Sequence, residues 1–250
     1  MLLDTHVHLG HWPFTFVPER SAAQLAADLR KNGIRRALVS PLDAVLAPDP
    51  LPANRALFAA VRRTPALLPV ATINPALAHW RQQLDHAATG PLQAIELYPN
   101  YHNYRLDSPR FDTFLAEVAK RKLKLIISVR LEDDRHRYFA LNIKNVPTKS
   151  LTAFLKRHPQ LHPLLLGLGL PDIRALAKTC GNFSTDTAFV EWIYSIQTLV
   201  REFPVSRILF GSHTPFLITK ASLAKLTTAK LPKATRAAIE HGNAERFFGL

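Results

Sequence analysis

Cysteine is nearly absent: Cys180 stands alone among 250 residues, which excludes an internal disulfide and any zinc site built on several thiolates. A lone thiol fits a reducing compartment. Long apolar runs are also missing. The longest, Pro163 to Pro171, is too short to cross a bilayer. Met1-Leu2-Leu3 offers neither the basic region nor the apolar stretch of a secretory leader. A soluble, cytoplasmic protein with no membrane partner is expected. Glycine is sparse, and Gly10 stands alone after the first expected strand, where an open nucleotide-binding sheet would carry a glycine-rich turn. Acidic residues number 19 against 32 basic ones, for a net charge of +13. Such a balance can attract nucleic acid, anionic lipid or anionic substrates. The charges, however, fall into Lys120, Arg121, Lys122 and Lys124, then Lys220, Lys225, Lys230, Lys233 and Arg236. Neither group has interleaved aromatics, and no nucleic-acid motif is present. These are expected to be solvated helix faces, with no nucleic-acid partner.

What is present is a globular composition, 47% hydrophobic and 20% charged, in a chain long enough for one large core. Short β-rich runs alternate with amphipathic segments. The expected strands are Leu2–His8, Ile34–Ser40, Leu67–Ile73, Gln93–Tyr98, Lys124–Val129, His162–Leu168, Asn182–Thr187 and Arg207–Gly211. Between them fall helices. The first opens on Ser21-Ala22-Ala23-Gln24, a capping box, and stops at Gly33. Others cover Asn54–Arg63, Ala76–Ala88, a segment capped by Ser108-Pro109 and ending near Arg121, Ser150–Arg157, Asp172–Thr179 and Phe189–Phe203, with two more after the last strand. Eight strand–helix units in strict alternation predict an α/β fold, a single (β/α)8 barrel, with residues 1–250 as one domain. The connection from Glu132 to Lys149 is long enough to fold over the barrel mouth as a lid.

In such a barrel the C-terminal strand ends carry the active site. The first strand ends in Asp4-Thr5-His6-Val7-His8, and alternation places His6 and His8 on one face, half of a metal site. The second ends with Ser40 and Asp43, the third with Asn74, and the fourth with Glu96, Tyr98, Asn100 and His102. The fifth offers Arg130, Glu132, Arg135 and His136, the seventh Asp186, and the eighth Ser212 and His213. His6 and His8 could instead be buried histidines held by hydrogen bonds. Glu132 could simply pair with Arg130 or Arg135.

Asp4-Thr5-His6-Val7-His8 resembles the opening motif of the amidohydrolase superfamily, in particular its amidohydrolase-2 branch. Ile208-Leu209-Phe210-Gly211-Ser212-His213-Thr214-Pro215 resembles that branch's eighth-strand motif. Asn243-Ala244-Glu245-Arg246-Phe247-Phe248-Gly249-Leu250 resembles its closing helix, and Leu97-Tyr98-Pro99-Asn100-Tyr101-His102 the middle of some members. The branch holds aromatic-acid decarboxylases, lactonases and related hydrolases. The resemblance implies the barrel, a divalent metal and hydrolytic or related chemistry on a small molecule. The chain departs from the pattern in three places. It lacks histidines at the fifth and sixth strand ends, and His213 stands where the branch has a catalytic aspartate.

The expectation is therefore a metal-dependent hydrolase cleaving an amide, ester or lactone of a small anionic substrate. His6, His8 and His213 would hold one divalent ion, zinc, with Glu132 as a fourth ligand. His213 would act as general base if it is not a ligand. Asp4 would orient a ligand or a loop beside the catalytic groups, and Asp186 takes a structural role. Tyr98, His102, Arg130 and Arg135 would contact substrate, the arginines gripping a carboxylate. A metal-independent lactonase or decarboxylase, or a barrel that has lost its full site, are the rival expectations. Pairing into a homodimer fits the resemblance.

Overall fold

The computed structural model describes residues 2–18, 20–135, 138, 140–192 and 194–250; His136 of the expected mouth residues lies outside them. Eight parallel strands surround the core. They are β1 (Leu2–Leu9), β2 (Ile34–Pro41), β3 in two runs (Leu67–Pro69 and Ala71–Ile73), β4 (Ala94–Leu97), β5 (Lys124–Ser128), β6 (Leu164–Leu166), β7 (Ser184–Asp186) and β8 (Ile208–Leu209). β1, β2 and the first run of β3 pair in order. The second run continues the ladder through β4, β5, β6, β7 and β8. At the interruption the Val70 N–H still donates to Val39 O at 2.9 Å, so β3 is one strand changing partners.

The circle closes between β1 and the segment following β8. Thr5 N–H donates to Phe210 O at 2.9 Å and His8 N–H to Thr214 O at 2.8 Å, with Val7 and Thr214 bridged in parallel. This is the (β/α)8 barrel expected from the alternation.

Residues alternate along each strand, and the core divides accordingly. Ala37, Val39, Ile73, Leu97, Ile127 and Leu165 face out against helix residues such as Leu25, Leu84, Leu115 and Phe154. Leu38, Leu68, Ile126, Leu164 and Leu209 pack with Phe248 of the last helix. A third cluster lies over the opposite end: Trp12, Val17, Leu42, Val45, Tyr98 and Leu131, backed by Phe14, Tyr101, Leu141 and Phe216. Leu131, just after β5, belongs to this cluster, and Leu141 of the connection expected as a lid packs against it.

The helix at Ala22–Lys31 carries the expected capping box, with Ser21 Oγ accepting from Gln24 N–H and Gln24 Oε1 accepting from Ser21 N–H. Three other helices are shorter than their periodicity implies. The third begins at Trp80, because Asn74 Oδ1 takes the Ala76 N–H and holds a turn there. The fourth begins at Phe111 with no side-chain cap from Ser108. The seventh covers only Ser195–Glu202, since Tyr194 adopts a left-handed φ of 56°.

Four histidines other than His6, His8 and His213 make the fold acid-sensitive. Burial pushes the imidazoles of His86, His102, His158 and His162 below the ordinary histidine value. Each binds fewer protons folded than unfolded just below pH ~6.5, so its contribution is present above that pH and lost as pH falls through the folded value. The urea midpoint is expected to drop between about pH 7.5 and 5.5, a drop that the raised carboxyl of Asp4, at about 6, partly offsets at its lower end. His162→Gln should make the slope shallower. A flat midpoint, or an unchanged slope in His162→Gln, would contradict this account.

Candidate functional site

Three imidazoles meet at the mouth, on neighbouring strand ends. The His6 and His213 ring centroids are 4.1 Å apart, and His8 lies 5.2 Å from each. Their available ring nitrogens all fall within 4.8 Å of one another. All three side chains are buried, His213 completely. The expectation that His213 approaches His6 and His8 across one strand spacing is met, because β1 and the segment after β8 close the barrel.

Hydrogen-bond partners fix the tautomers. Leu131 O can only accept, so His213 Nε2 carries a proton and donates to it. His213 Nδ1 is then a lone pair, which accepts from His6 Nε2–H at 2.7 Å. The other His6 nitrogen, Nδ1, is 2.8 Å from Asp186 Oδ2. Burial, reinforced by the neighbouring His6 charge, holds His8 and His213 well below the usual histidine range. Both are therefore neutral at physiological pH. His8 Nδ1 is buried without a partner, and His8 Nε2 is 3.3 Å from the Tyr98 hydroxyl.

His213 is held in a left-handed conformation, φ 58°. Asn, Asp and His tolerate that region best among side-chain-bearing residues. A backbone outlier kept at the end of a barrel strand is the kind of strain that accumulates at functional sites.

Asp186 was given only a structural part by its sequence position, yet it is the partner of His6. Its Oδ1 accepts from Gly167 N–H at 3.1 Å, which fixes the carboxylate while Oδ2 faces the imidazole. Carboxylates in this position set the tautomer and raise the basicity of a ligating histidine. Asp4, by contrast, orients backbone and no imidazole. Its Oδ1 accepts from Ser212 N–H at 2.9 Å and His6 N–H at 3.1 Å, tying β1 to the residue preceding His213. Burial raises its carboxyl to about 6, against the pull of these donors.

Glu132 does not join the three histidines. Its Oε1 accepts from Trp12 Nε1–H at 3.0 Å and Thr15 Oγ–H at 3.1 Å, so it anchors the loop after β1. Arg135 is engaged by acids: its guanidinium pairs with Asp133 and Glu191. The expected carboxylate grip at Arg135 is thus filled by the protein's own side chains. Arg130 lies 5.0 Å over the Phe189 ring, with its nearest acid Asp172 at 3.6 Å, and Phe189 in turn is 5.1 Å from His213. Tyr98 is fully buried against His8. His102 packs one layer further out, 6.2 Å from the Tyr98 ring.

Glu96, one turn of pleat below Tyr98, is also buried. One of its oxygens accepts from Ser40 Oγ–H while the other has no partner, and burial raises its carboxyl above the ordinary value. The strand-end position was legible, but nothing in its surroundings along the chain marks it out.

A (β/α)8 barrel with histidines converging from its first and eighth strands defines the amidohydrolase class of architecture. The chain belongs to the amidohydrolase family: residues 3–250 match that family's sequence pattern. A comparison with curated protein sequences finds no match. Among solved structures, a probable 2-pyrone-4,6-dicarboxylic acid hydrolase from Acinetobacter baumannii, with citric acid bound, superposes with a TM-score of 0.70 at 12% identity, covering 100% of this chain and 99% of that one. A dihydroxybenzoic acid decarboxylase from Polaromonas, with manganese and 2-nitroresorcinol, gives 0.73 at 15%, covering 100% and 97%. A 5-carboxyvanillate decarboxylase from Novosphingobium aromaticivorans, complexed with manganese and 4-hydroxy-3-methoxy-5-nitrobenzoic acid, gives 0.76 at 13%, covering 100% and 96%. At these identities the likeness is one of fold. No helix among the described residues is long and apolar enough to cross a membrane.

Proposed function

We propose that this chain, as one catalytic domain, is a metal-dependent hydrolase of a small organic substrate with an amide, ester or lactone bond. The observation that carries this reading is the convergence of His6, His8 and His213, with two of the three rings oriented by Asp186 and Leu131 O. The donor set fits a divalent ion. The lone pair of His213 Nδ1 already faces His6 Nε2 across a single shared proton, and His8 keeps a buried nitrogen without a partner. Three imidazoles and no carboxylate favour zinc over the harder manganese. When bound, such an ion supplies Lewis acidity and hydroxide near neutral pH.

The protein's own residues then have defined tasks. Asp186 orients the His6 ring through Nδ1, so that Nε2 is the nitrogen that would face an ion once its proton is displaced. Asp4 fixes the backbone ahead of His213. Tyr98 presents its hydroxyl at the inner wall of the site, and burial with the adjacent Glu96 keeps that hydroxyl protonated. Tyr98 is therefore a hydrogen-bond donor to a substrate oxygen. Arg130, whose charge acts on His213, supplies positive charge at the rim, which suits an anionic substrate.

Decarboxylation is the second reading, favoured by the described activities of the Polaromonas and Novosphingobium proteins that share this fold. One experiment separates the readings. Protein loaded with zinc and dialysed against metal-free buffer is expected to retain about one zinc per chain. It should then hydrolyse members of a panel of esters, lactones and amides. Carbon dioxide release from aromatic acids with no hydrolysis would favour decarboxylation. Activity with no retained metal would remove the metal-dependent reading.

A further inference from the structure

His6, His8 and His213 are buried, and the Phe216 ring packs against two of them. Phe216 stacks on His213 with centroids 5.2 Å apart and planes 23° from parallel, and meets His8 edge-on at 5.7 Å. Its other side lines a cavity of about 340 Å³ whose wall includes Trp192, Leu217, Ile218, Ala221 and Lys225. The described residues that line this cavity include Phe216 but none of the three histidines. Phe216 thus touches both the histidines and a space within the size range of ligand pockets.

The second ring over the site is Trp12, 5.7 Å from Phe216. Trp12 is almost wholly buried and tied by its Nε1–H to Glu132, which also holds Thr15. Phe216 has no polar atom to tie and is only half-buried. The backbone on both sides of it is pinned. Thr214 Oγ1 bonds Ser212 Oγ at 2.7 Å and Thr219 Oγ1 at 2.6 Å, and Ser222 Oγ–H donates to Ser212 O at 3.1 Å. The segment is therefore fixed at its ends, while the hydrocarbon ring between them is held by packing alone.

We infer that Phe216 is the gate of the site, and that the cavity behind it is the entrance through which substrate reaches the histidines. In the closed rotamer the ring keeps water off His8 and His213. Swung outward, it joins the cavity to the mouth. The cations at the cavity are already compensated, Arg135 by Asp133 and Glu191, Lys225 by the carbonyls of Thr187 and Ala188. Its discriminating surface is then the apolar wall of Trp192, Leu217, Ile218 and Ala221, which suits a planar, largely apolar body carrying the scissile group at one end. This substrate class rests on the catalytic reading above; the gate itself does not.

The gate is tested on metal-free protein, with diethyl pyrocarbonate as the probe and peptide mass spectrometry as the readout. His8, with a free nitrogen, is the reporter. In the wild-type chain His8 should be acylated slowly, and Phe216→Ala should accelerate it at least tenfold. Phe216→Leu should fall between and serves if the alanine variant folds poorly. His158 and His162 should keep their wild-type rates, which excludes general loosening. Trp192→Ala, on the far wall, should leave His8 protected. A His8 rate in both Phe216 variants that is indistinguishable from wild type overturns the gate, as does equal acceleration by Trp192→Ala. Zinc uptake followed on the same variants reads the catalytic proposal separately. A chain that takes up no zinc removes that proposal and leaves the acylation result standing.

Discussion

His213→Ala is expected to lower zinc affinity by at least about 100-fold, the upper end of the loss seen when only an outer partner of a ligand is removed. Activity should fall with it. His213 supplies one of three nitrogens in a group that has no carboxylate to compensate. Removing it leaves His6 Nε2–H facing a void and Leu131 O without its donor. The alanine also inherits a left-handed backbone, φ 58°, at a cost of about 1–2 kcal/mol. That cost would confuse folding with ligation, so His213→Asn is the companion. Asparagine accepts the same φ but is too short to reach the position of the imidazole nitrogen. It should keep a near-wild-type melting temperature and still lose the metal. Zinc titration with a competing chelator reads both variants. Affinity within about threefold of wild type in the asparagine variant, some 0.65 kcal/mol, would mean that His213 is not a ligand.

How far the site could be read from the chain follows from which contacts are local. The alternation of short apolar runs and amphipathic segments fixes the barrel, because period and order are sequence properties. Once the barrel is assumed, the first and eighth strands are neighbours, so the meeting of His6, His8 and His213 follows without coordinates. Contacts made by loops do not. Glu132 and Arg135 sit where a ligand and a carboxylate clamp would be useful. Asp133 beside Arg135 is local, but the other partners, Trp12, Thr15 and Glu191, are remote in sequence and brought in by connections whose paths no periodicity describes. Each of these side chains is satisfied by the scaffold. The shortened helices have the same cause: Asn74 and the left-handed Tyr194 replace helical bonds by local ones that a hydrophobic pattern does not report. Asp186 was hidden for a different reason. It lies on β7, and β8 runs between it and His6. A carboxylate there would ordinarily be screened from β1 by the side chain of the intervening strand.

Gly211 is what removes that screen, and Gly211→Ala is expected to damage both the stability of the barrel and the histidine group. An added Cβ would lie 2.4 Å from Asp186 Oδ2, 2.9 Å from Asp186 Cβ and 3.0 Å from His6 Cβ. The glycine is required here for close approach: the Asp186 carboxylate passes over its backbone to reach His6 Nδ1. The methyl group must therefore push Asp186, His6 or both. Overpacking of this kind costs about 1–3 kcal/mol, and here two of the three contacts are with Cβ atoms that cannot rotate away. At the upper end of that range the melting temperature should fall by roughly 6–12 °C for a chain of this size. Separating His6 from Asp186 should also weaken zinc binding by about 10–100-fold. The two effects can be pulled apart. In the double variant Asp186→Gly with Gly211→Ala, the crowding atoms of Asp186 are gone, so much of the lost stability should return. Zinc affinity should not, because His6 still lacks its carboxylate. Thermal unfolding and zinc titration of the two single variants and the double complete the cycle. A Gly211→Ala protein that melts within about 2 °C of wild type would show that the approach of Asp186 to His6 is looser than the structure has it. Recovery of zinc affinity in the double variant would show that Asp186 does not orient His6 for the metal.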